Sequence, residues 1–252
     1  MKKFIALFSL LCTIYLVGCE TTQEITINKN GSGSLSNTSD MSNLVGMLKM
    51  MGGDSLDKTM PNTDTTILLA GIADSIEGLN AAQKKIIDQG TMKLTLNMQD
   101  EKLITKANFP FQKVSDLKLL NAAMPKVSEA ISKKLPAGDQ MPSGLGAEGG
   151  KTQFKTFDDF FDVAVTENLI SKTLNKTKYA TVPNDQYMQS IKQMSGMGSP
   201  ITSKYVINLP RPAKKVEGKA VTLSEDKKKV TISVTSDDFF DSPSKFEYKI
   251  QY

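Results

Sequence analysis

Between Thr91 and Met98 apolar and polar residues alternate without a break, with Met92, Leu94, Leu96 and Met98 on one side and Lys93, Thr95 and Asn97 on the other. A period of two sends successive side chains to opposite faces of an extended chain, so this stretch predicts a strand with one buried face. Gln99-Asp100-Glu101-Lys102 reads as a polar turn, and Leu103–Phe109 returns with less regular alternation before Phe109-Pro110-Phe111 closes the hairpin. A sheet with one apolar face has to be covered by a second layer.

The rest of the chain supplies candidates for that layer and for more strands. Glu24-Ile25-Thr26-Ile27-Asn28 alternates as a strand, and Asn30-Gly31 marks a turn. Ser34–Ser39 predicts a returning strand, and with Leu35 as its only apolar residue it is expected at a sheet edge. Asp40 predicts a helix cap, with Leu44, Met47, Leu48 and Met51 on one face and Gly52-Gly53 as the stop. Residues 54–63, with Pro61, read as a loop, and Thr65–Leu69 as a strand. Ala81–Gln89 predicts a helix capped by Asn80 and stopped by Gly90. Asp116–Leu135 predicts a long helical stretch with Ser115 as cap and Leu117, Leu120, Met124, Val127 and Ile131 as its stripe, and Pro125 inside it predicts a kink or two successive helices. Asp162–Thr166 and Ser171–Lys176 form a hairpin across Glu167-Asn168, Asp185–Met194 a short helix, and Thr202–Leu209 a strand. Ala220–Leu223, Lys229–Thr235 and Phe246–Tyr252 are expected as a terminal antiparallel set. Helices and strands are mixed without βαβ regularity, so the expected class is α+β with a largely antiparallel sheet drawing on both chain ends.

The first residues read as a secretory signal: Lys2 and Lys3, then an apolar run from Phe4 to Val17. That run is shorter than the roughly 20 residues a spanning helix needs. It ends in Leu16-Val17-Gly18-Cys19, which resembles the lipobox of bacterial lipoproteins, a resemblance that covers residues 1–20. The resemblance implies cleavage before Cys19, a diacylglycerol on its sulfur and an acylated amino terminus. Glu20 stands where many Gram-negative lipoproteins carry the Asp that retains them in the inner membrane, which implies the outer membrane. The organisation expected is a signal peptide over 1–18, a lipidated tether over 19–23, an N-terminal α+β region over 24–135, a Gly/Pro-rich linker or loop over 136–150, and a C-terminal β-rich region over 151–252. Lipobox, early Gly31-Ser32-Gly33 hairpin and mixed antiparallel body together resemble envelope lipoproteins of the LppM-like kind, which implies a non-catalytic binding module and carries over no site residue.

Composition removes several chemistries. There is no His and no Trp, so Ser-His-Asp and Cys-His catalysis are excluded and ordinary zinc sites have no ligand set. Cys12 leaves with the signal and Cys19 carries the lipid, which leaves no disulfide. The formal charge of +4 includes Lys2 and Lys3, so the mature chain is near +2, and Arg211 is its only Arg. Nucleic-acid binding is therefore not expected. Lys227-Lys228-Lys229 and Lys214-Lys215 read as solvated turn surface, against the alternative of a membrane-facing basic patch.

Two patterns remain as candidate sites. Asp158-Asp159-Phe160-Phe161-Asp162 recurs as Asp237-Asp238-Phe239-Phe240-Asp241. Clustered carboxylates suit Ca²⁺, so these six acids are calcium candidates. The favoured reading is a turn or helix start, in which Asp accepts amide hydrogen bonds and the Phe pair packs inward. Methionines cluster as Met41, Met47, Met50, Met51 and Met60, and again as Met188, Met194 and Met197. They suggest a soft Cu(I) site, an adaptable groove, or simple core filling. No catalytic residue, cofactor or metal is expected. The function expected is a membrane-anchored binding or structural module with an envelope protein or apolar ligand as partner. The alternative is a carrier of lipid or another apolar ligand in a Met/Leu-lined groove.

Overall fold

The computed structural model describes residues 19–43, 45, 46, 49, 62–134, 155–196 and 198–252. The signal segment, Leu44, Met47, Leu48, Met50, Met51, Gly52-Gly53, Met60, Pro61, the 136–150 segment and Met197 lie outside the described residues.

The strands are β1 (Glu20–Ile27), β2 (Gly33–Asp40), β3 (Thr63–Leu68), β4 (Thr91–Asn97), β5 (Lys102–Phe111), β6 (Phe161–Thr166), β7 (Leu169–Leu174), β8 (Thr202–Asn208), β9 (Lys215–Glu217), β10 (Val221–Leu223), β11 (Lys229–Thr235) and β12 (Tyr248–Gln251). The helices are α1 (Ala81–Ile87), α2 (Asp116–Lys134), α3 (Lys176–Tyr179), α4 (Gln186–Gly196) and α5 (Ser236–Asp241). An eight-stranded sheet runs β10-β11-β8-β1-β2-β5-β4-β3, and a four-stranded sheet runs β6-β7-β12-β9. Among the described residues β1 and β8 pair in parallel and every other pairing is antiparallel. The fold is α+β.

One apolar row fixes the register of the large sheet. Val230, Ile207, Ile25, Leu35 and Phe109 are successive partners across β11, β8, β1, β2 and β5. All five are buried. A slip of one residue on any of these strands would turn its apolar side chains to water, so the row specifies one pairing. Helices α1 and α2 bring Ile86, Ile87, Leu117, Leu120 and Val127 into the same core as Leu69, Met92 and Phe109. The small sheet joins it through Phe161, Ile170, Tyr248 and Ile250.

Several expectations change. Residues 20–23, expected as a tether, are the first half of β1, held by pairing to β2 on one side and β8 on the other. β2 is not an edge but lies inside the sheet between β1 and β5. Its few apolar atoms suffice because Leu35 is fully buried between Ile25 and Phe109. Gly33 allows the close approach at its end: a Cβ there would stand 1.9 Å from the Thr26 carbonyl oxygen. α2 continues through Pro125 as one helix. The proline is off the buried face, and Leu120, Ala123 and Val127 anchor the helix on both sides of it. The terminal strands divide: β10 and β11 enter the large sheet, and β12 enters the small one between β7 and β9. The two regions on either side of 136–150 share one sheet, because β8, β10 and β11 extend the strands of the first region.

Candidate functional site

Where the two sheets face each other, a charged cluster sits inside an aromatic shell. In the parallel pairing Gln23 on β1 lies beside Tyr205 on β8. Lys172 on β7 pairs with Tyr248 on β12 in the opposite sheet. Asp158, in the short 3-10 turn Phe157–Phe160, lies between them. It accepts hydrogen bonds from the Lys172 ammonium, from the Tyr205 hydroxyl at 2.7 Å and from the Gln23 amide at 3.4 Å. The Lys172 side chain is 2% exposed and the Asp158 side chain 33%. The Lys172 ammonium lies 3.9 Å from the ring centre of Tyr205, 4.9 Å from Phe161 and 5.4 Å from Phe246. Ring faces attract a cation at such range.

Burial pushes the Lys172 amine below its ordinary value, and the neighbouring Asp158 pulls it back up. Burial, then the Asp158 charge, pushes the hydroxyls of Tyr205 and Tyr248 upward. A lowered lysine is the raw material of nucleophilic catalysis. Here the rings cover it, so the arrangement works as a lock between sheets. The lock titrates at alkaline pH. The folded state keeps the Tyr205 and Tyr248 protons beyond the ordinary tyrosine value of about 10, so their contribution is full below that pH and is lost above it. Lys172 acts oppositely, since its folded value is lowered and stability rises as pH climbs toward the ordinary lysine value. Unfolding midpoints measured from about pH 10 to 11 should therefore fall, and Tyr205→Phe should make that fall shallower by about 1.4 kcal/mol per pH unit at most. Equal slopes for the two proteins would remove Tyr205 from the account.

Lys172, Tyr205 and Gln23 went unseen in the sequence, although Lys172 carried a signal. Ile170, Lys172 and Leu174 alternate on one side of β7, and Ile170 is fully buried, which places the lysine on the inner face.

Of the six acids of the repeat, Asp158 belongs to this lock, and the others hold turns and helix ends. Thr156 donates its amide to Asp159 at 2.7 Å, and in the second copy Thr235 and Asp238 exchange bonds of 3.0 and 3.2 Å. Asp162 takes the Asn175 amide at 2.9 and 3.1 Å, Asp237 accepts from Ser195, and Asp241 ends α5. Among the described residues no three acidic, Cys or His side chains gather around a metal-sized space. The phenylalanines bring the copies together, with Phe157 and Phe239 at 4.6 Å and Phe160 and Phe239 at 5.4 Å between ring centres.

Met92, Met98 and Met188 are buried at 4%, 2% and 0% exposure and fill the core. A shallow depression of about 270 Å³ is lined by Tyr179, Ala180, Val182, Pro183, Gln189, Lys192 and Phe240, none of them Met or Leu. Cys19 lies at the opposite extreme from an open tether. Its carbonyl accepts the Thr202 amide at 2.8 Å, which continues the β1–β8 ladder. Its thiol is half-buried, and burial together with the Asp40 charge pushes it up.

No family model matches the chain, and no curated protein matches it. Among solved structures it is similar to the NMR structure of the folded domain of the Mycobacterium tuberculosis LppM protein, with a TM-score of 0.36 and 8% identity over 95% of this chain and 94% of that one. A likeness of this size fixes neither fold nor function.

The basic runs are the last of the sequence candidates. β1 and β8 run the same way, so Cys19 and Thr202 share one end of the sheet. Asn208 pairs with Lys229 at the other end, which carries the turn Ser224–Lys228. Lys227-Lys228-Lys229 therefore lies at the end of the sheet away from Cys19.

Proposed function

We propose that this chain is a lipid-anchored protein of the bacterial cell envelope whose body is a non-catalytic binding module held tight against the bilayer, on the outer membrane where the cell has one. The observation that carries the reading is the position of Cys19. The residue that the lipobox marks for lipid is hydrogen-bonded into the middle of the main sheet, one residue before β1. Two or three acyl chains on that residue give firm attachment, where one gives only marginal binding. With no slack between lipid and strand, the anchored end of the sheet meets the headgroups and the opposite end faces outward. The half-buried, protonated thiol of the folded domain is a poor nucleophile.

The non-catalytic reading is supported by the way the polar groups satisfy one another. Lys172, the side chain best placed for covalent chemistry, is committed to Asp158 and covered by rings. The carrier reading needs a Met/Leu-lined cavity, and Met92 and Met188 instead sit within the packed core. Native mass spectrometry of the mature protein in detergent separates the two. A binding module carries the mass of the Cys19 lipid and no second apolar ligand. A stoichiometric lipid beyond the anchor would make it a carrier.

A further inference from the structure

We infer that the end of the large sheet farthest from Cys19 is a docking surface for an anionic polysaccharide of the envelope. The inference rests on the anchored reading above, and it names the partner. Two turns and the end of β12 are joined there by backbone bonds: Leu209 and Ala213 donate to the Lys228 and Lys227 carbonyls at 2.7 Å each, and Lys214 donates to Gln251 at 2.7 Å. Arg211, Lys214, Lys227 and Lys228 are all exposed on these turns. Lys29, in the β1–β2 turn at the same end of the sheet, is exposed as well. Lys227 has a φ of 57°. That conformation suits Gly or Asn better than a lysine, yet a lysine stands there. The Arg211 guanidinium is held in place by the Glu167 and Tyr252 carbonyls at 3.4 and 3.2 Å and lies 5.5 Å from the centre of the Tyr252 ring. Among the described residues the acids at this end are Glu24, which accepts the Asn208 amide at 2.7 Å, Glu167, Glu225 and Asp226, and Asp226 is occupied by the Ser224 hydroxyl at 2.6 Å and the Lys228 amide at 3.0 Å. At the other end Glu20 and Asp40 stand opposite each other beside Cys19.

Three alternatives fit this surface less well. Its own bilayer is too far: β1 has eight residues, about 27 Å of strand, against a screening length of about 8 Å. A protein partner needs exposed aromatic or aliphatic anchors, and here Leu209, Ala213 and Tyr252 are buried. A small anion needs a concave site, and the depression described above includes none of these cations. Charges spread over such a surface suit an extended polyanion, which binds by releasing counterions.

The test uses the mature protein in detergent, with alginate as the anionic polymer and dextran as the neutral one. The expected result is binding to alginate alone, weakening steeply with salt. Lys227→Glu with Lys228→Glu should weaken it at least about tenfold near 0.1 M salt and flatten the salt slope by about two units. Lys106→Glu with Lys204→Glu, the same charge change at exposed positions in mid-strand, should leave most of the affinity. No binding to alginate, equal loss in both double variants, or equal binding to dextran would overturn the inference. The mass of Cys19 in the same sample keeps the readings apart. Failure to bind with lipid present rejects the partner alone, and binding without lipid rejects the anchor.

Discussion

Asp158→Ala should destabilise the protein by about 3–5 kcal/mol, whereas Lys172→Met should be neutral or stabilise it by up to about 4 kcal/mol. The asymmetry follows from where the charges lie. The Asp158 side chain is 33% exposed and keeps the Tyr205 hydroxyl and Gln23 amide when the lysine is gone. Lys172, at 2% exposure, pairs with no second acid among the described residues. Removing Asp158 strands an ammonium among Tyr205, Phe161 and Phe246, whose ring faces compensate only in part. Methionine in its place matches the unbranched stem and packs well against rings.

For a chain of this size, the Asp158→Ala loss is a fall in melting temperature of about 6–20 °C. The loss should shrink as the pH rises toward the ordinary lysine value, because a stranded Lys172 folds more readily once neutral. Adding Lys172→Met to Asp158→Ala should restore most of the stability. A cost below about 1 kcal/mol for Asp158→Ala, or equal costs for both single variants, would mean that the pair does not lock the sheets.

Local patterns in this sequence were legible where one strand or one cap decided the outcome. The 91–111 hairpin, the Asn80-capped helix and the β6–β7 turn follow from alternation and turn chemistry, which are properties of neighbours in the chain. What escaped is set by partners far away. Residues 20–23 look like a polar linker until β8, some 180 residues later, pairs with them. The Ser/Thr-rich β2 looks like an edge until Leu35 is seen between Ile25 and Phe109. Of the lock, the repeat pointed to Asp158 as a cap or cation ligand. Its actual partners come from β1, β7 and β8, three strands that no local period connects.

Cys19→Ser should abolish lipid attachment altogether, the largest effect expected of any single substitution here. A hydroxyl is a poor substitute for the thiolate in taking up lipid. Without the acyl chains the body has only its folded surface with which to hold a bilayer, since each buried methylene contributes about 0.8 kcal/mol to the anchor. The fold itself should survive, because the bond at Cys19 is made by its backbone carbonyl and not its sulfur. The most direct measurement is the intact mass of the amino-terminal peptide of the native protein recovered from membranes, alongside the Cys19→Ser form grown with labelled fatty acid. The account predicts a native chain beginning at Cys19 with a diacylglycerol on sulfur, and no label in the serine form. A native chain that retains Met1, or that begins at an unmodified Cys19, would contradict it.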